Sequence, residues 1–371
     1  MHTITFFPLG NADACKLELP GGGLLLFDFG NQGDPDDDAD KRIDLAAALR
    51  DDCTGAKRDA FDVVAFTHAD DDHTHGASEF FHLDHAAKYQ GNGRLKITEL
   101  WVPAAFITEA TAELHDDARV LQAEARYRLK QGKGIRVFSR PIALEGWLEG
   151  EGIALADRDH LISDAGTVIP GYTLDDQGIE FFVHSPFAIH TDVGMVDRNQ
   201  CALVLQATLQ CGDTPRHLLL TTDVAHDVLT DIVAVTRAHG NDERLAWDVV
   251  KVPHHCSYLS LSDEQGTTVT EPMPNVQWLF EQGADRATLI ATCNVIPPDD
   301  DDCQPPHRQA AAYYRSRARA VDGEFVVTME HPTVARPDRI VITCDDAGAK
   351  LTKRLAGGAA TVVTRQAPRA G

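Results

Sequence analysis

The chain opens with short apolar runs separated by turn residues. Thr3–Leu9, Cys15–Leu19 and Leu24–Phe29 read as three strands, the last two joined through Pro20-Gly21-Gly22-Gly23, and this punctuation predicts a meander. Helical spacing over Lys41–Leu49 is followed by an apolar strand at Asp62–Phe66, a helical pattern from Gly76 through Tyr89, a strand at Leu95–Val102 and an Ala/Glu/Arg-rich helical stretch at Phe106–Leu129. Residues 135–183 read as short strands and turns, among them Ile135–Phe138 and Ile179–Val183. The second half predicts strands at Ala202–Leu209, His217–Thr221, Asp248–Val252, Thr288–Ala291, Glu324–Met329 and Arg339–Thr343, with helices at Ala225–His239 and Arg308–Arg315.

Strands leading into helices, twice over, predict an α/β protein with two sheets packed face to face between helices, an αββα sandwich. The sequence has no Pro/Ser-rich linker and no fixed repeat, so a single domain over residues 1–345 is expected. A largely helical insertion at about 104–180 and a loosely held Gly/Ala/basic tail over 346–371 complete that expectation. Hydrophobic residues make up 43% of the chain, enough to fill such a core.

A formal charge of −23 narrows the partners, because a surface that tracks duplex nucleic acid carries a basic stripe. Generic tight duplex binding is disfavoured. The charge leaves a phosphate-bearing substrate open, since bound cations would offset acidic ligands locally. Eight cysteines without a CxxC pair argue against a zinc ribbon and against a compact disulfide framework. With no basic-then-apolar leader and no run of about 18 apolar residues, a soluble cytoplasmic protein with reduced thiols and no membrane contact is expected.

The chemistry concentrates where the strand ending at Phe66 runs into Thr67-His68-Ala69-Asp70-Asp71-Asp72-His73. On a strand-to-helix turn, alternating side chains can converge on one point. Imidazole nitrogen and carboxylate oxygen are donors that zinc and manganese both accept. A solvated polar loop would explain a lone histidine, but this cluster abuts a buried strand and has His254-His255 downstream. His75, His82 and His85 lie at the motif's edge or beyond it and read as packing, surface or supporting residues. The acidic runs Asp34–Asp40 and Asp299–Asp302 read as solvated loops.

H-x-D-x-D-H resembles the H-x-H-x-D-H motif of the metallo-β-lactamase superfamily, with Asp70 in place of the second histidine. That substitution is similar to the branch holding the soluble domain of ComEC-type DNA-uptake proteins and the bacterial phosphorylcholine esterases. Further stretches match in order: Leu9-Gly10-Asn11-Ala12-Asp13-Ala14 with Pro20-Gly21-Gly22 and Phe27-Asp28-Phe29-Gly30; Asn199-Gln200-Cys201-Ala202-Leu203-Val204-Leu205; Leu218-Leu219-Leu220-Thr221-Thr222-Asp223; Val249-Val250-Lys251-Val252-Pro253-His254-His255-Cys256-Ser257; and, more loosely, Pro306-His307. The resemblance spans roughly residues 3–345.

It implies a four-layer metallo-β-lactamase sandwich with two divalent ions, zinc or manganese. His68 and Asp70 would hold the first ion, Asp72, His73 and His255 the second, and Asp223 both. The usual third histidine of the first ion is absent from its place; Asn199 stands nearest in register, with His184 and His190 as alternatives. Thr222 and Cys256 occupy positions where the family has glycine. Asp28 would orient a ligand from beneath. Two ions about 3.5–4 Å apart can hold a bridging hydroxide and stabilise charge on a phosphoryl oxygen. Asp72 would serve that chemistry directly, and His254 or His307 would supply the acid for the leaving oxygen.

The expected activity is hydrolysis of phosphodiesters, in nucleic acid or a small nucleotide, and the acidity favours short or single-stranded substrates. The same site could cleave a carbon ester, thioester or amide. A non-catalytic effector acting with a protein partner through the 106–129 helix and the 135–180 region is the third reading, and fold alone does not choose.

Overall fold

The computed structural model describes residues 1–352 apart from 38, 92, 192–196 and 302. In chain order the strands are β1 (His2–Phe6), β2 (Cys15–Glu18), β3 (Leu24–Phe27), β4 (Ala60–Ala65), β5 (Lys96–Pro103), β6 (Ile135–Phe138), β7 (Ile162–Ser163), β8 (Ile179–Ser185), β9 (Val204–Leu209), β10 (Arg216–Leu220), β11 (Trp247–Lys251), β12 (Gly283–Ala291), β13 (Glu324–Val327), the small pair β14 (Pro332–Thr333) and β15 (Arg336–Pro337), β16 (Ile340–Asp345) and β17 (Gly348–Leu351). Helices are α1 (Leu45–Gly55), α2 (Asp71–Thr74), α3 (Ala77–Phe80), α4 (Ala104–Thr108), α5 (Asp116–Gln131), α6 (Ile142–Gly150), α7 (Ala188–Thr191), α8 (His226–Ala238), α9 (Pro274–Phe280) and α10 (Arg308–Ala320).

Two sheets result, ordered β17-β16-β1-β2-β3-β4-β5-β6-β7 and β13-β12-β11-β10-β9-β8. Strand periodicity assigns the faces. In β3, Leu25 and Phe27 point between the sheets, toward Phe181, Val183, Leu205, Leu218 and Leu220, whereas Leu24 and Leu26 point outward under α1 and α5. On the second sheet, Leu219, Val250 and Leu289 face outward against Val228, Leu229 and Ile232 of α8, Leu279 of α9 and Tyr314 of α10. Three apolar layers between four layers of secondary structure make the αββα sandwich that the strand and helix order predicts. Trp101 anchors the middle layer, with edge contacts to Phe27, Phe138, Tyr172 and Phe181.

Three expectations change in detail. The helical pattern from Gly76 to Tyr89 yields only α3, because Phe80 and Phe81 are both fully buried: Phe80 stacks on Phe29, while Phe81 meets Phe29, Phe61 and Phe66 edge-on. A continuing helix would not bury both. The 104–180 segment is helical in α4, α5 and α6 and holds the expected strand Ile135–Phe138 as β6, but β6 and β7 join the first sheet in parallel, so the segment is woven into the sheet. The ordered sheet runs past residue 345, since β17 pairs with β16; most of the expected loose tail, residues 353–371, lies outside the described residues. Among the described residues no helix is long and apolar enough to cross a membrane.

Candidate metal centre

Within the two sheets β3, β4 and β5 run parallel, as do β10, β11 and β12. Their C-terminal ends open at one rim, the usual place for a site in such sheets. Asp28 follows β3, His68 to His73 follow β4, Thr222 and Asp223 follow β10, His254 and His255 follow β11, and Thr292 follows β12. Asp13 comes in from the β1–β2 connection, tied through its backbone N–H to the Asp72 carbonyl at 3.0 Å and through its carbonyl to the Gly30 N–H at 2.9 Å. Gly30 is obligatory there, because a Cβ would lie 2.0 Å from the Asp72 carbonyl oxygen.

Four buried side chains from separate parts of the chain, Asp13, His73, Asp223 and His255, place one donor atom each within 4.8 Å of one another. His73 Nε2 lies 3.5 Å from Asp13 Oδ2, 3.5 Å from Asp72 Oδ2 and 3.4 Å from Asp223 Oδ2. His255 Nε2 lies 2.8 Å from Asp72 Oδ2 and 3.0 Å from Asp223 Oδ2. Donors held tetrahedrally about 2.0–2.1 Å from one zinc ion stand roughly 3.3 Å apart, and most of these separations are of that order.

The far side of each ring fixes its tautomer. His73 Nδ1 is 2.9 Å from Asp28 Oδ2, and His255 Nδ1 donates to the Thr292 carbonyl at 2.7 Å. Each Nε2 therefore turns a lone pair toward carboxylate oxygens, an arrangement that needs a cation between them and matches the outer support of metal-bound histidines. His73 Nε2 and Asp13 Oδ1 are buried and make no hydrogen bond. Without a metal the cluster recruits protons: although burial opposes it, Asp223 and Asp72 push the His255 imidazole up to about 10. His73 is likewise raised well above the ordinary histidine range, its burial outweighed by Asp28, Asp72 and Asp223. Asp223 is held well below the usual carboxylate range by His255, Lys251 and His73, against its burial. The donor set fits a divalent cation.

Two permanent cations border the cluster. Lys251, the last residue of β11, is 2.6 Å from Asp13 Oδ2 and 3.2 Å from Asp223 Oδ1, and these carboxylates keep it charged despite complete burial. Arg198 Nη1 donates to Asp70 Oδ1 at 2.7 Å. Asp70 Oδ2 in turn lies 3.4 Å from His68 Nε2, and the His68 and His73 rings are 3.9 Å apart between centroids. Desolvation would raise Asp70, but His68 and Arg198 hold it well below the usual range. Asp13 and Asp223 thus face Lys251, Asp70 and Glu109 face Arg198, and Asp28 and Asp72 face the imidazoles of His73 and His255.

The backbone is strained here. Asp28, Thr222, His254, His255 and Cys256 all have positive φ, between 46° and 66°, and such outliers cluster at functional sites. Thr222 and Cys256 stand where the resembling family has glycine, and this conformation explains that preference. Thr222 gains a compensating contact: its Oγ1 lies 2.7 Å from Thr67 Oγ1, which also bonds Asp28 Oδ2 at 2.7 Å.

The structure thus gathers His68, Asp70, Asp72, His73, Asp223 and His255 at one rim. His254 lies beside them, its ring 6.2 Å from that of His255; burial lowers its pKa, and its buried Nδ1 makes no hydrogen bond. Asn199 Oδ1 is also buried and unbonded. The alternatives to Asn199 are engaged elsewhere: His184 Nε2 bonds the Arg244 carbonyl at 2.9 Å, and His190 bonds the Gln200 carbonyl at 3.2 Å and faces Asp231 at 3.7 Å. His307 buttresses the His254–Cys256 turn, with Nδ1 accepting from the Tyr258 N–H and Nε2 meeting the Cys303 carbonyl, so its nitrogens are committed to backbone. Sequence reading assigned no role to Arg198 or Glu109, and none to Asp13 or Lys251 beyond their motifs. A lysine inside the apolar run before His254-His255, and an aspartate inside the matched opening motif, were the available signals.

No protein-family model matches the sequence, and no curated protein matches it. Among solved structures the chain is similar to a diphosphatase from the PhnP family, at 10% identity and a TM-score of 0.33 over 79% of this chain and 87% of that one. It is also similar to unliganded yeast PDE1, at 12% identity and a TM-score of 0.42 over 88% of this chain and 98% of that one.

Proposed function

We propose that the protein is a metal-dependent hydrolase that cleaves phosphodiester bonds with two divalent ions, zinc or manganese. The observation that carries this reading is the convergence of buried imidazole and carboxylate donors whose lone pairs face one another. Asp72, His73, His255 and Asp223 would hold one ion; His68 and Asp70, with Asp223 and Asn199, would hold the other. When bound, the ions supply an activated water and stabilise charge on a phosphoryl oxygen.

The chain's own residues divide the remaining work. Asp28 and the Thr292 carbonyl orient His73 and His255. Lys251 holds Asp13 and Asp223 in place. His254, beside His255 and with its buried Nδ1 unbonded, is placed to meet a substrate oxygen, whereas both ring nitrogens of His307 are occupied. The ordered motifs resembling ComEC-type proteins support a nucleotide-containing substrate, and the charge of −23 favours short or single-stranded ones.

The test is elemental analysis of the purified protein beside a panel of bis(p-nitrophenyl) phosphate, single-stranded DNA and cyclic nucleotides with zinc, manganese or magnesium. Metal-stimulated release is expected, and Asp223→Asn should abolish it and lower the bound-metal count. No release from any member of the panel, or an Asp223→Asn protein as active as wild type, would sink the proposal.

A further inference from the structure

Arg198 lies between β8 and β9, and its guanidinium is almost fully committed. Nε donates to Glu109 Oε1 at 2.9 Å and Oε2 at 3.1 Å, Nη2 donates to Glu109 Oε1 at 2.6 Å and to the Glu113 carbonyl at 2.7 Å, and Nη1 donates to Asp70 Oδ1 at 2.7 Å. Glu109, just past α4, is buried, so the arginine is fixed from behind by a forked pair before it reaches the site.

This gives the two oxygens of Asp70 different tasks. Oδ1 is taken by Arg198; Oδ2 is left 3.4 Å from His68 Nε2, close to the spacing of two ligands on one ion. The terminal torsion of an unpaired aspartate is broad and soft, and the guanidinium removes that freedom. The neighbouring Asn199, whose buried Oδ1 makes no hydrogen bond, is carried on the same short segment. The other half of the centre has separate supports, Asp28 behind His73 and Thr292 behind His255.

We propose that Arg198, aimed by Glu109, is a positioning residue for the first ion: it sets the affinity of the His68–Asp70 half without contributing to the His73–His255 half. The inference rests on the two-ion reading. Its test is calorimetric titration of the metal-free full chain with manganese, with ions per chain counted by elemental analysis after gel filtration, for wild type, Arg198→Ala, Arg198→Lys and Glu109→Gln.

Wild type should bind two ions. Arg198→Ala should keep one ion at wild-type affinity and bind the other about 10–100-fold more weakly, the usual loss when an outer support of a ligand is removed. Arg198→Lys should fall nearly as far, because a lysine keeps the charge but not the fork, and Glu109→Gln should show a smaller loss at the same site. Circular dichroism and thermal melting report whether each variant folds; if Arg198→Ala does not, the lysine and Glu109→Gln variants carry the test. Unchanged affinities in all folded variants overturn the proposal and leave the two-ion reading standing. An Arg198→Ala protein that binds more ions than wild type overturns it too, since the arginine would then be standing in for a cation. A wild type that binds one ion overturns both readings.

Discussion

Lys251→Met should destabilise the metal-free protein severely and the metal-loaded protein much less. The ammonium is buried, 2.6 Å from one buried aspartate and 3.2 Å from another, and also meets the Thr222 carbonyl at 3.2 Å. At an effective dielectric of about 20, each such charge pair is worth roughly 5–6 kcal/mol before desolvation is subtracted. Methionine fills the volume but leaves Asp13 and Asp223 with one fewer counter-charge, and removing one partner of a buried pair typically costs about 3–5 kcal/mol. With a denaturant slope near 3 kcal/mol per molar, the urea midpoint of the metal-free variant should drop by about 1–1.7 M. A divalent ion brings positive charge to the same carboxylates, so saturating manganese should recover a large part of the difference. Urea denaturation followed by circular dichroism, with chelator and then with manganese, measures both halves. A metal-free variant within about 1 kcal/mol of wild type, well short of the usual cost of breaking a buried pair, would show that Lys251 is not what holds these aspartates.

Two further outcomes concern stability away from the lysine. His184, fully buried against Arg244 and Thr236, has its pKa pushed down to about 4 by desolvation; its contribution is complete above the unfolded value of 6.5 and is lost as pH falls toward 4, about 3 kcal/mol in all at 1.36 kcal/mol per unit. Chemical denaturation from pH 7 to pH 4 should therefore be steeper for wild type than for His184→Gln, and parallel curves would contradict the assignment. Gly30→Ala drives a methyl into the Asp72 carbonyl, so it should cost at least about 1–3 kcal/mol and weaken metal binding, both measurable by melting with and without manganese; an unaffected variant would mean the turn has room to move.

Much of the architecture is written in local pattern. Alternating apolar strands, Gly/Pro punctuation and the return of helices fix the order of elements, because each strand must hide one or two faces and each helix one stripe. The turns after β4, β10 and β11 that carry the candidate site's imidazoles and carboxylates were legible for the same reason, as polar chemistry placed abruptly at the ends of buried strands. Side chains at Thr222 and Cys256 marked turns whose backbone proved left-handed. What the sequence did not determine is how those ends meet. Whether Asp70 faces His68 or a guanidinium, which imidazole nitrogen is free, and why His184 and His190 turn away depend on residues up to 183 positions apart brought within hydrogen-bond reach. Lys251, Arg198 and Glu109 acquire meaning only there: a charge is costly or stabilising according to what surrounds it once water is gone, and only the packed sheets decide that.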